Sequence, residues 1–463
     1  MAARAGRLHL ALVAATIALV FAIAASSAAG ATRFERIDGY DAPQTPAELD
    51  KVGILQVGPT QAENVLVINP GTSASAAYFE PLARFVASEA PGWQVWAVER
   101  RENLLEDHSV VDLAKEGQVS AQGLFDYYLG YLTNPSITDH FTAVPDSAVP
   151  FAREWGMRVA VEDLRRVVER AGRLGGDVVL GGHSLGGSIT TAYATWDFNG
   201  TPGAEGLSGL VYIDGGSGPD PVTPEQASES LASLEAGTPW LAFGGIPAPF
   251  AGLFNVVGST AAHIAPDELN SFREWPLAPE NLKPPVPVTN EAQYGYALDP
   301  ATSPPALAAA QAHLGQLAAS GDPRGWDPAG AITPIQRYAD MFSGTGLPGL
   351  DGTAWYHPRR LTIDAGAVAA GNPNPAQEIL DVDAIHGADL PRDLRIYAFG
   401  AALGGQRVLD AANSLAAQSG LPNRNVTLVD RAAKYSHNDP NSAFPKNAFV
   451  NKLRHFLRRI EGR

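Results

Sequence analysis

A serine enclosed by glycines lies where a strand-like run meets a helix-like run. The segment Asp177–Trp196 reads DVVLGGHSLGGSITTAYATW, and Gly182 and Gly186 flank Ser184 at two positions on either side. A serine hydroxyl becomes a nucleophile when a base accepts its proton and N–H donors stabilise the oxyanion that forms. This spacing on a strand-to-helix turn projects the hydroxyl and directs the Leu185 N–H toward the oxyanion. The segment therefore predicts nucleophilic acyl chemistry at Ser184.

Strand-like and helix-like runs alternate around this serine. Runs rich in Val and Ile predict strands within Lys51–Gly58, Glu63–Gly71, Gly92–Asn103, Asp177–Gly182, Gly206–Gly216, Arg392–Gly400 and Asn425–Asp430. Helical periodicity is found in Ser75–Ser88, Met157–Gly176, Gln406–Ser419 and Asn447–Ile460. Such alternation predicts an α/β fold with a parallel sheet covered on both faces.

The alternation stops once, over residues 217–391, where Pro, Gly and Ala are frequent and only short helical pieces are predicted. Because strands on both sides of this stretch need one another, we expect an inserted cap on one sheet domain. The core then comprises residues 32–216 and 392–463, after a leader at 1–31. A smaller insertion, 104–155, is expected to join the same rim.

The N-terminus has the composition of a secretory signal. Arg4 and Arg7 precede an apolar run that ends near Ala25, and Ala29-Gly30-Ala31 fits an A-x-A cleavage site. We expect cleavage near Ala31 and a secreted or extracytoplasmic protein without a stable membrane span. An uncleaved membrane anchor is the alternative.

Composition excludes several classes of function. The net charge of −16 argues against nucleic acid as a partner. The absence of cysteine excludes disulfides, thiolate catalysis and cysteine-based metal sites. Histidines and carboxylates show no ligand-like spacing, so neither a metal ion nor another cofactor is predicted. The oligomeric state stays open.

The segment GGHSLGG, the order of elements around it and a late histidine resemble the α/β-hydrolase superfamily. The resemblance implies a three-layer fold with a mostly parallel eight-stranded sheet, helices on both faces and a cap after the sixth strand. It also implies the chain order serine, acid, histidine. His437, in YSHNDP after the last predicted strand, stands where the family keeps its histidine.

The resemblance also implies a second oxyanion donor from the loop NPGTSAS, Asn69–Ser75. Gly71 lets the backbone approach, and the Thr72 amide is expected to act together with that of Leu185. Many members have His-Gly at this point, where this chain has Pro70-Gly71. The segment RRENLLED, which follows the third predicted strand, is interpreted as a solvated or locally paired loop.

The triad acid has two main candidates. The family most often supplies it after the strand that here ends at Phe399, where the first carboxylate is Asp410. A family variant supplies it from the preceding strand, where LVYIDGG offers Asp214. We favour Asp214 and keep Asp410 as the alternative acid. Asp439, Asp220 and a cap carboxylate complete the set.

The residues together predict a secreted serine hydrolase that cleaves an ester-type bond through an acyl-enzyme. Its substrate is expected to be a small-molecule or lipid-like acyl compound. Amidase, peptidase or acyltransferase activity on the same triad is the alternative, as is a non-catalytic secreted binding protein on a hydrolase scaffold. The cap aromatics are candidates for an apolar acyl pocket or for the cap's own core: Trp240, Phe243, Phe250, Phe254, Trp275, Trp326 and Trp355.

Overall fold

An eight-stranded sheet crosses the protein, of which the computed structural model describes residues 31–462. The strands of the described part are β1 (Ala31–Asp38), β2 (Lys51–Gly58), β3 (Asn64–Asn69), β4 (Trp93–Glu99), β5 (Val178–His183), β6 (Gly209–Ile213), β7 (Gln316–Gly321), β8 (Arg324–Asp327), β9 (Arg395–Gly400) and β10 (Val426–Asp430). The order in the large sheet is β1-β2-β4-β3-β5-β6-β9-β10. Only β2 runs against its neighbours, so the predicted mostly parallel eight-stranded sheet is confirmed.

Helices cover both faces of the sheet. In chain order they are α1 (Glu80–Glu89), α2 (Ser109–Lys115), α3 (Ala121–Tyr128), α4 (Met157–Gly172), α5 (Leu185–Thr195), α6 (Pro224–Ala236), α7 (Phe250–Ile264), α8 (Asn290–Leu298), α9 (Ile335–Ser343), α10 (Arg359–Ala365), α11 (Pro375–Leu380), α12 (Gln406–Gln418), α13 (Asp439–Ser442) and α14 (Ala448–Glu461). Short 3₁₀ segments connect several of them.

Alternate side chains of each central strand enter different cores, because successive residues of a strand point to opposite faces. In β3, Leu66 and Ile68 pack with the helices α1 and α14, whereas Val65 and Val67 pack with α4, α5 and α12. Burial on both faces explains why these strands are almost continuously apolar, which made them recognisable in the sequence.

Two sheet elements escaped the sequence analysis. The edge strand β1 reads ATRFERID, and it pairs antiparallel with β2 so that Phe34 lies opposite Leu55. Its charged residues interrupt any apolar run, since one side of an edge strand faces solvent. The hairpin of β7 and β8 lies in the stretch for which only helical pieces were predicted.

The segment between β6 and β9 contains α6 to α11 together with the hairpin. Its two ends pack beside the sheet, with Ala227 of α6 and Leu380 of α11 in the core formed around α4, α5 and α12. Its middle part shares a third core with the smaller insertion, in which Tyr128 and Trp155 join Trp240 and Trp355. The two insertions therefore form one continuous structure above the strand ends.

Within residues 31–462, none of the helices combines the length and the apolar character needed to cross a bilayer. The leader expected at 1–31 lies outside the described residues apart from Ala31, the first residue of β1. Cleavage near Ala31 stays a prediction.

Candidate active site

Ser184 occupies a strained turn between β5 and α5. Its φ of 56° and ψ of −125° lie in a region that residues with a side chain rarely adopt. A Cβ added to Gly182 would lie 2.0 Å from the carbonyl oxygen of Gly186. One added to Gly186 would lie 2.2 Å from the carbonyl oxygen of Asn69. The two glycines are thus required for the helix to approach the strand.

His437 and Asp214 form a buried pair. Nδ1 of His437 lies 2.6 Å from Oδ2 of Asp214, and both side chains are almost fully excluded from solvent. Asp214 follows β6 and has a positive φ of 46°, which turns its carboxylate away from the strand direction. The structure therefore brings together the histidine and the favoured acid of the sequence analysis.

The Asp214 carboxylate also accepts hydrogen bonds from backbone N–H groups of the loop after β9. These donors are Ala401 at 2.7 Å, Leu403 at 3.2 Å, Gly404 at 3.0 Å and Gly405 at 3.1 Å. Burial raises the pKa of Asp214, but the His437 contact and these N–H donors outweigh it and hold the pKa below its ordinary value. Asp214 is therefore ionised at neutral pH.

His183, inside the elbow, contacts the backbone of His437. Its Nε2 lies 3.0 Å from the backbone carbonyl oxygen of His437, and its Nδ1 lies 3.3 Å from the Tyr78 hydroxyl. Burial, together with the charge of His437, lowers the pKa of His183 well below its usual range. A neutral His183 donates from Nε2 to the His437 carbonyl and fixes the position of that loop.

Ser184 and His437 line one cavity of about 890 Å³. Nε2 of His437 is buried and has no hydrogen-bond partner among residues 31–462. Since Nδ1 faces Asp214, Nε2 is the ring nitrogen left to accept a proton from a hydroxyl in this cavity. Gly71 and Thr72 line the same cavity.

The expected oxyanion loop approaches the serine closely. A Cβ added to Gly71 would lie 2.8 Å from Cβ of Ser184, so a side chain there would displace the nucleophile. The N–H groups of Thr72 and Leu185 donate no hydrogen bond to residues in the described range. Thr72 lines the cavity and Leu185 directly follows Ser184, so both amides stay candidates for the oxyanion donors.

Arg100 fixes this loop by donating hydrogen bonds to its backbone carbonyls, a role that the sequence analysis missed. Its guanidinium donates to the carbonyl oxygens of Pro70 at 3.0 Å, Gly71 at 3.2 Å and Ala74 at 3.1 Å. Because a trans peptide directs its C=O and N–H in opposite directions, the Thr72 N–H points away from Arg100. Arg100 is the first residue of RRENLLED, which is buried rather than solvated from Arg100 to Asn103.

The insertion contacts the same loop from its other side. Nδ1 of His357 accepts a hydrogen bond from the Ser73 N–H at 3.3 Å. Burial and the positive charge of Arg100 lower the pKa of His357 well below its usual range, so that its Nδ1 stays an acceptor. Ala354 N–H donates to the Ser73 carbonyl at 3.0 Å, and Ser75 N–H donates to the Gly352 carbonyl at 3.3 Å.

The three residues Ser184, Asp214 and His437 follow β5, β6 and β10 of a sheet in which only the second strand is reversed. This combination of strand order and strand-to-helix elbow decides the fold. The protein has the α/β-hydrolase fold.

Comparisons with solved structures find chains of the same fold class at low sequence identity. A candidate lipase from Sulfolobus solfataricus is 15% identical with a TM-score of 0.49, and the match covers 92% of this chain and 94% of that chain. An esterase from Thermogutta terrifontis is 12% identical with a TM-score of 0.39, covering 92% and 99%. A soluble variant of monoglyceride lipase from Saccharomyces cerevisiae is 10% identical with a TM-score of 0.36, covering 93% and 95%.

No protein-family model matches this chain, and no curated protein matches it. Because each of the TM-scores given above is below 0.5, the assignment stands on the strand order and the positions of the three side chains.

The other acid candidates lie elsewhere in the hydrolase fold. Asp410 is an exposed residue of α12 whose carboxylate accepts a hydrogen bond from Gln406 at 2.8 Å. Asp439 is buried, but its carboxylate contacts Nδ1 of His313 at 2.6 Å and the Ser436 N–H at 2.7 Å. Asp220 is exposed. The structure thus places Asp214, and not these three, against His437.

The aromatic residues of the insertion divide into two groups. Phe243 and Phe254 line the cavity that contains Ser184. The remaining five belong to the packed interior or its margin: Trp240, Phe250, Trp275, Trp326 and Trp355. Most of these aromatics therefore stabilise the insertion rather than line the cavity.

Proposed function

We propose that this protein is a serine hydrolase that cleaves carboxylic ester bonds. The observation that carries the proposal is the buried His437–Asp214 pair, whose Nε2 lacks a partner in the cavity that Ser184 also lines. A non-catalytic binding protein would need neither an ionised acid on Nδ1 nor a strained serine at the elbow. A strained conformation of this kind is retained where it contributes to function.

The proposed reaction has two halves. Asp214 holds the Nδ1–H tautomer of His437, so Nε2 accepts the Ser184 proton as the hydroxyl attacks the ester carbonyl. The N–H groups of Leu185 and Thr72 donate to the oxyanion that forms. Protonated His437 then delivers the proton to the leaving alcohol. Water attacks the acyl-enzyme in the same way and releases the acid.

The walls of the cavity favour an apolar acyl group. Phe243, Ile246, Leu282, Leu298 and Leu307 are among the lining residues, and His183 and His437 are the only ionisable ones besides two tyrosines. A peptide substrate would bury several amide groups against walls that are mostly apolar and offer few partners, which costs free energy. This observation favours an ester of an apolar acid over amidase or peptidase activity. Acyl transfer to another alcohol would use the same residues.

A second cavity extends the first. It has a volume of about 740 Å³, and it shares Phe254, Leu282, Tyr294 and Ala297 with the serine-containing cavity. The two cavities adjoin along these residues, and a long acyl chain is expected to extend from the first toward the second. We infer that the substrates include lipid-like esters.

The proposal is tested by covalent labelling and by turnover. Wild-type protein is expected to react with a fluorophosphonate probe and to hydrolyse p-nitrophenyl esters, whereas Ser184→Ala does neither. His437→Ala should lose turnover while it keeps its fold, as monitored by circular dichroism. Folded wild-type protein that neither labels nor hydrolyses any acyl compound would favour the binding-protein alternative.

Export is a separate proposal that rests on residues 1–31. We expect the protein released by its host to begin near Thr32. Intact-mass measurement of the exported chain tests this, and a mass that includes Met1 would show that the segment is retained.

A further inference from the structure

Three buried side chains converge outside the proposed active site. Glu106 and His108 follow β4, and Asp351 belongs to the insertion; their side chains are 1%, 9% and 0% exposed. Nε2 of His108 lies 3.0 Å from Oδ2 of Asp351 and 3.3 Å from Oε2 of Glu106. One donor atom from each residue lies within 4.8 Å of the other two.

Both carboxylates face the same ring nitrogen, which hydrogen bonding alone does not require. One N–H aligns well with only one acceptor. His386 shows the ordinary arrangement, with Asp389 on Nδ1 at 2.8 Å and Asp197 on Nε2 at 3.3 Å. At His108 both carboxylates instead contact Nε2. Tetrahedral ligands of Zn²⁺ stand about 3.3 Å apart, given Zn–N and Zn–O bonds of about 2.0–2.2 Å, and the two distances from Nε2, 3.0 and 3.3 Å, agree with this.

The carboxylates are oriented by outer contacts. Trp355 Nε1 donates to Oδ2 of Asp351 at 2.9 Å, and the N–H and hydroxyl of Thr353 both donate to Oδ1 at 2.6 Å. The Trp355 N–H donates to Oε1 of Glu106 at 2.7 Å, which leaves Oε2 directed at His108. Outer hydrogen bonds of this kind fix the ligands of metal sites.

The cluster contains more acidic groups than basic ones. In the part of the chain that the structure describes, no lysine or arginine forms an ion pair with Glu106 or Asp351. Two buried carboxylates therefore share a single imidazole as their nearest basic group. A divalent cation with a neutral His108 makes the cluster neutral.

We propose that Glu106, His108 and Asp351 bind a divalent transition-metal ion, Zn²⁺ being the one that the donor set fits best. An imidazole nitrogen with two carboxylates selects such an ion over Ca²⁺ or Mg²⁺, which prefer oxygen ligands only. The sequence analysis predicted no metal because His108 and Asp351 are 243 residues apart. The ion would tie the insertion to the segment after β4, and the Asp351 carbonyl also accepts a hydrogen bond from Ser75 Oγ.

Metal content tests this proposal independently of turnover. The full-length chain is stripped with a chelator, incubated with Zn²⁺ or Co²⁺, desalted, and measured by elemental mass spectrometry, visible absorption and thermal melting. Wild type is expected to retain one equivalent, to show the d–d bands of tetrahedral Co²⁺, and to melt at a higher temperature with the metal. Equal retention of Ca²⁺ in place of Zn²⁺ would overturn the assignment of a transition metal.

Variants locate the site. His108→Gln and Glu106→Gln are expected to abolish retention, whereas the matched control His386→Gln keeps it. Circular dichroism of the metal-free proteins shows whether each variant folds. If His108→Gln does not fold, folded Glu106→Gln carries the comparison. Wild type that retains no Zn²⁺ or Co²⁺, or folded variants that retain as much as wild type, would show that the cluster is only a hydrogen-bonded imidazole.

Discussion

The carboxylate of Asp214 lies 2.6 Å from Nδ1 of His437, although 223 positions separate the two residues in the chain. The loop after β9, between them in the sheet, supplies four backbone N–H donors to this carboxylate and no carboxylate of its own. The resemblance to α/β-hydrolases made this loop the expected source of the acid. In this protein the same loop holds an acid that the neighbouring strand provides.

Asp214→Asn is expected to lower kcat by about ten-thousand-fold. The asparagine oxygen would keep the N–H donors of Ala401, Gly404 and Gly405, and its NH₂ group would then face Nδ1 of His437. That contact requires Nδ1 to accept, which places the proton on Nε2 and removes the base. Steady-state kinetics on a p-nitrophenyl ester measures the loss.

Asp410→Asn is the matched control, because Asp410 is exposed and bonded to Gln406. It should leave kcat and the melting temperature close to those of wild type. Near-wild-type turnover in Asp214→Asn would remove Asp214 from the mechanism.

Arg100→Lys is expected to lower kcat about 10- to 100-fold with little change in KM. A lysine ammonium does not reach all three carbonyls of the loop, so the Gly71–Thr72 peptide loses its fixed orientation. Arg101→Lys is the comparison, since that guanidinium contacts Asp163 and Asp50 instead. It should reduce the melting temperature and spare kcat. Equal kcat in the two variants would contradict the role of Arg100.

Gly186→Ala is expected to destabilise the protein by about 3 kcal/mol or more. The added Cβ would lie 2.2 Å from the backbone oxygen of Asn69, which has no room to move between strand and helix. Gly172→Ala, near the end of α4, meets nothing within 4 Å and should stabilise by about 0.5–1 kcal/mol. Urea denaturation gives the free energy of unfolding of both variants. Similar values would show that the turn at Ser184 adjusts to accommodate the added methyl group.

Ala297→Phe is expected to shift the acyl preference toward shorter chains. Ala297 forms part of the wall between the two cavities, and a phenyl ring there closes the path from one to the other. We expect kcat/KM to fall about tenfold for p-nitrophenyl dodecanoate and to stay unchanged for the butanoate. Ala306→Phe, at an exposed position outside both linings, serves as the control. An unchanged preference would mean that acyl chains do not pass Ala297.

Glu99→Gln is expected to make stability less dependent on pH. Burial raises the pKa of Glu99 from 4.5 to about 7, against hydrogen bonds from Ala76 and Asn103 that lower it. Its protonated form therefore contributes stability that is complete below about pH 4.5 and is lost as the pH rises through about 7. As the pH rises from about 5 to about 8, melting curves should show the free energy of unfolding of Glu99→Gln increasing relative to wild type, by up to about 3 kcal/mol.

Glu48→Gln is the control for the loss of one carboxylate, because Glu48 is exposed. The Glu99 side chain is replaceable because Oδ1 of Asn103 is buried without a partner, so the Asn103 amide can turn and accept from the new NH₂ group. A constant difference in melting temperature at all pH values would show that Glu99 does not titrate in this range.

Local patterns explain which parts of this structure the sequence predicted. The buried strands and the elbow at Ser184 have spacing rules of their own, and an aspartate at the end of a strand next to a glycine pair was conspicuous. Arg100 was not, because its three acceptors are backbone carbonyls that any sequence would offer. The edge strand β1 lacks a continuous apolar run because one of its sides faces solvent, which also allows it to carry charged residues.

Long-range contacts outside the pattern that the family resemblance implied were beyond reach of the sequence. His357 meets Ser73 across 284 positions, and nothing near either residue indicates the other. The cluster of Glu106, His108 and Asp351 was overlooked in the same way, since a search for ligand spacing finds only ligands that are close in the chain.

The contacts of residues 351–357 with the oxyanion loop limit how this protein can be taken apart. Ser73 is bonded through both its N–H and its carbonyl to residues of the insertion, and Ser75 N–H to Gly352. Trimming the chain to a minimal catalytic core would therefore release the loop that carries Thr72. Chimeras with crossovers at the borders of the insertion would combine parts that were not fitted to one another. The insertion cannot be exchanged independently of the loop around Ser73. Engineering of substrate range is therefore best confined to the cavity walls.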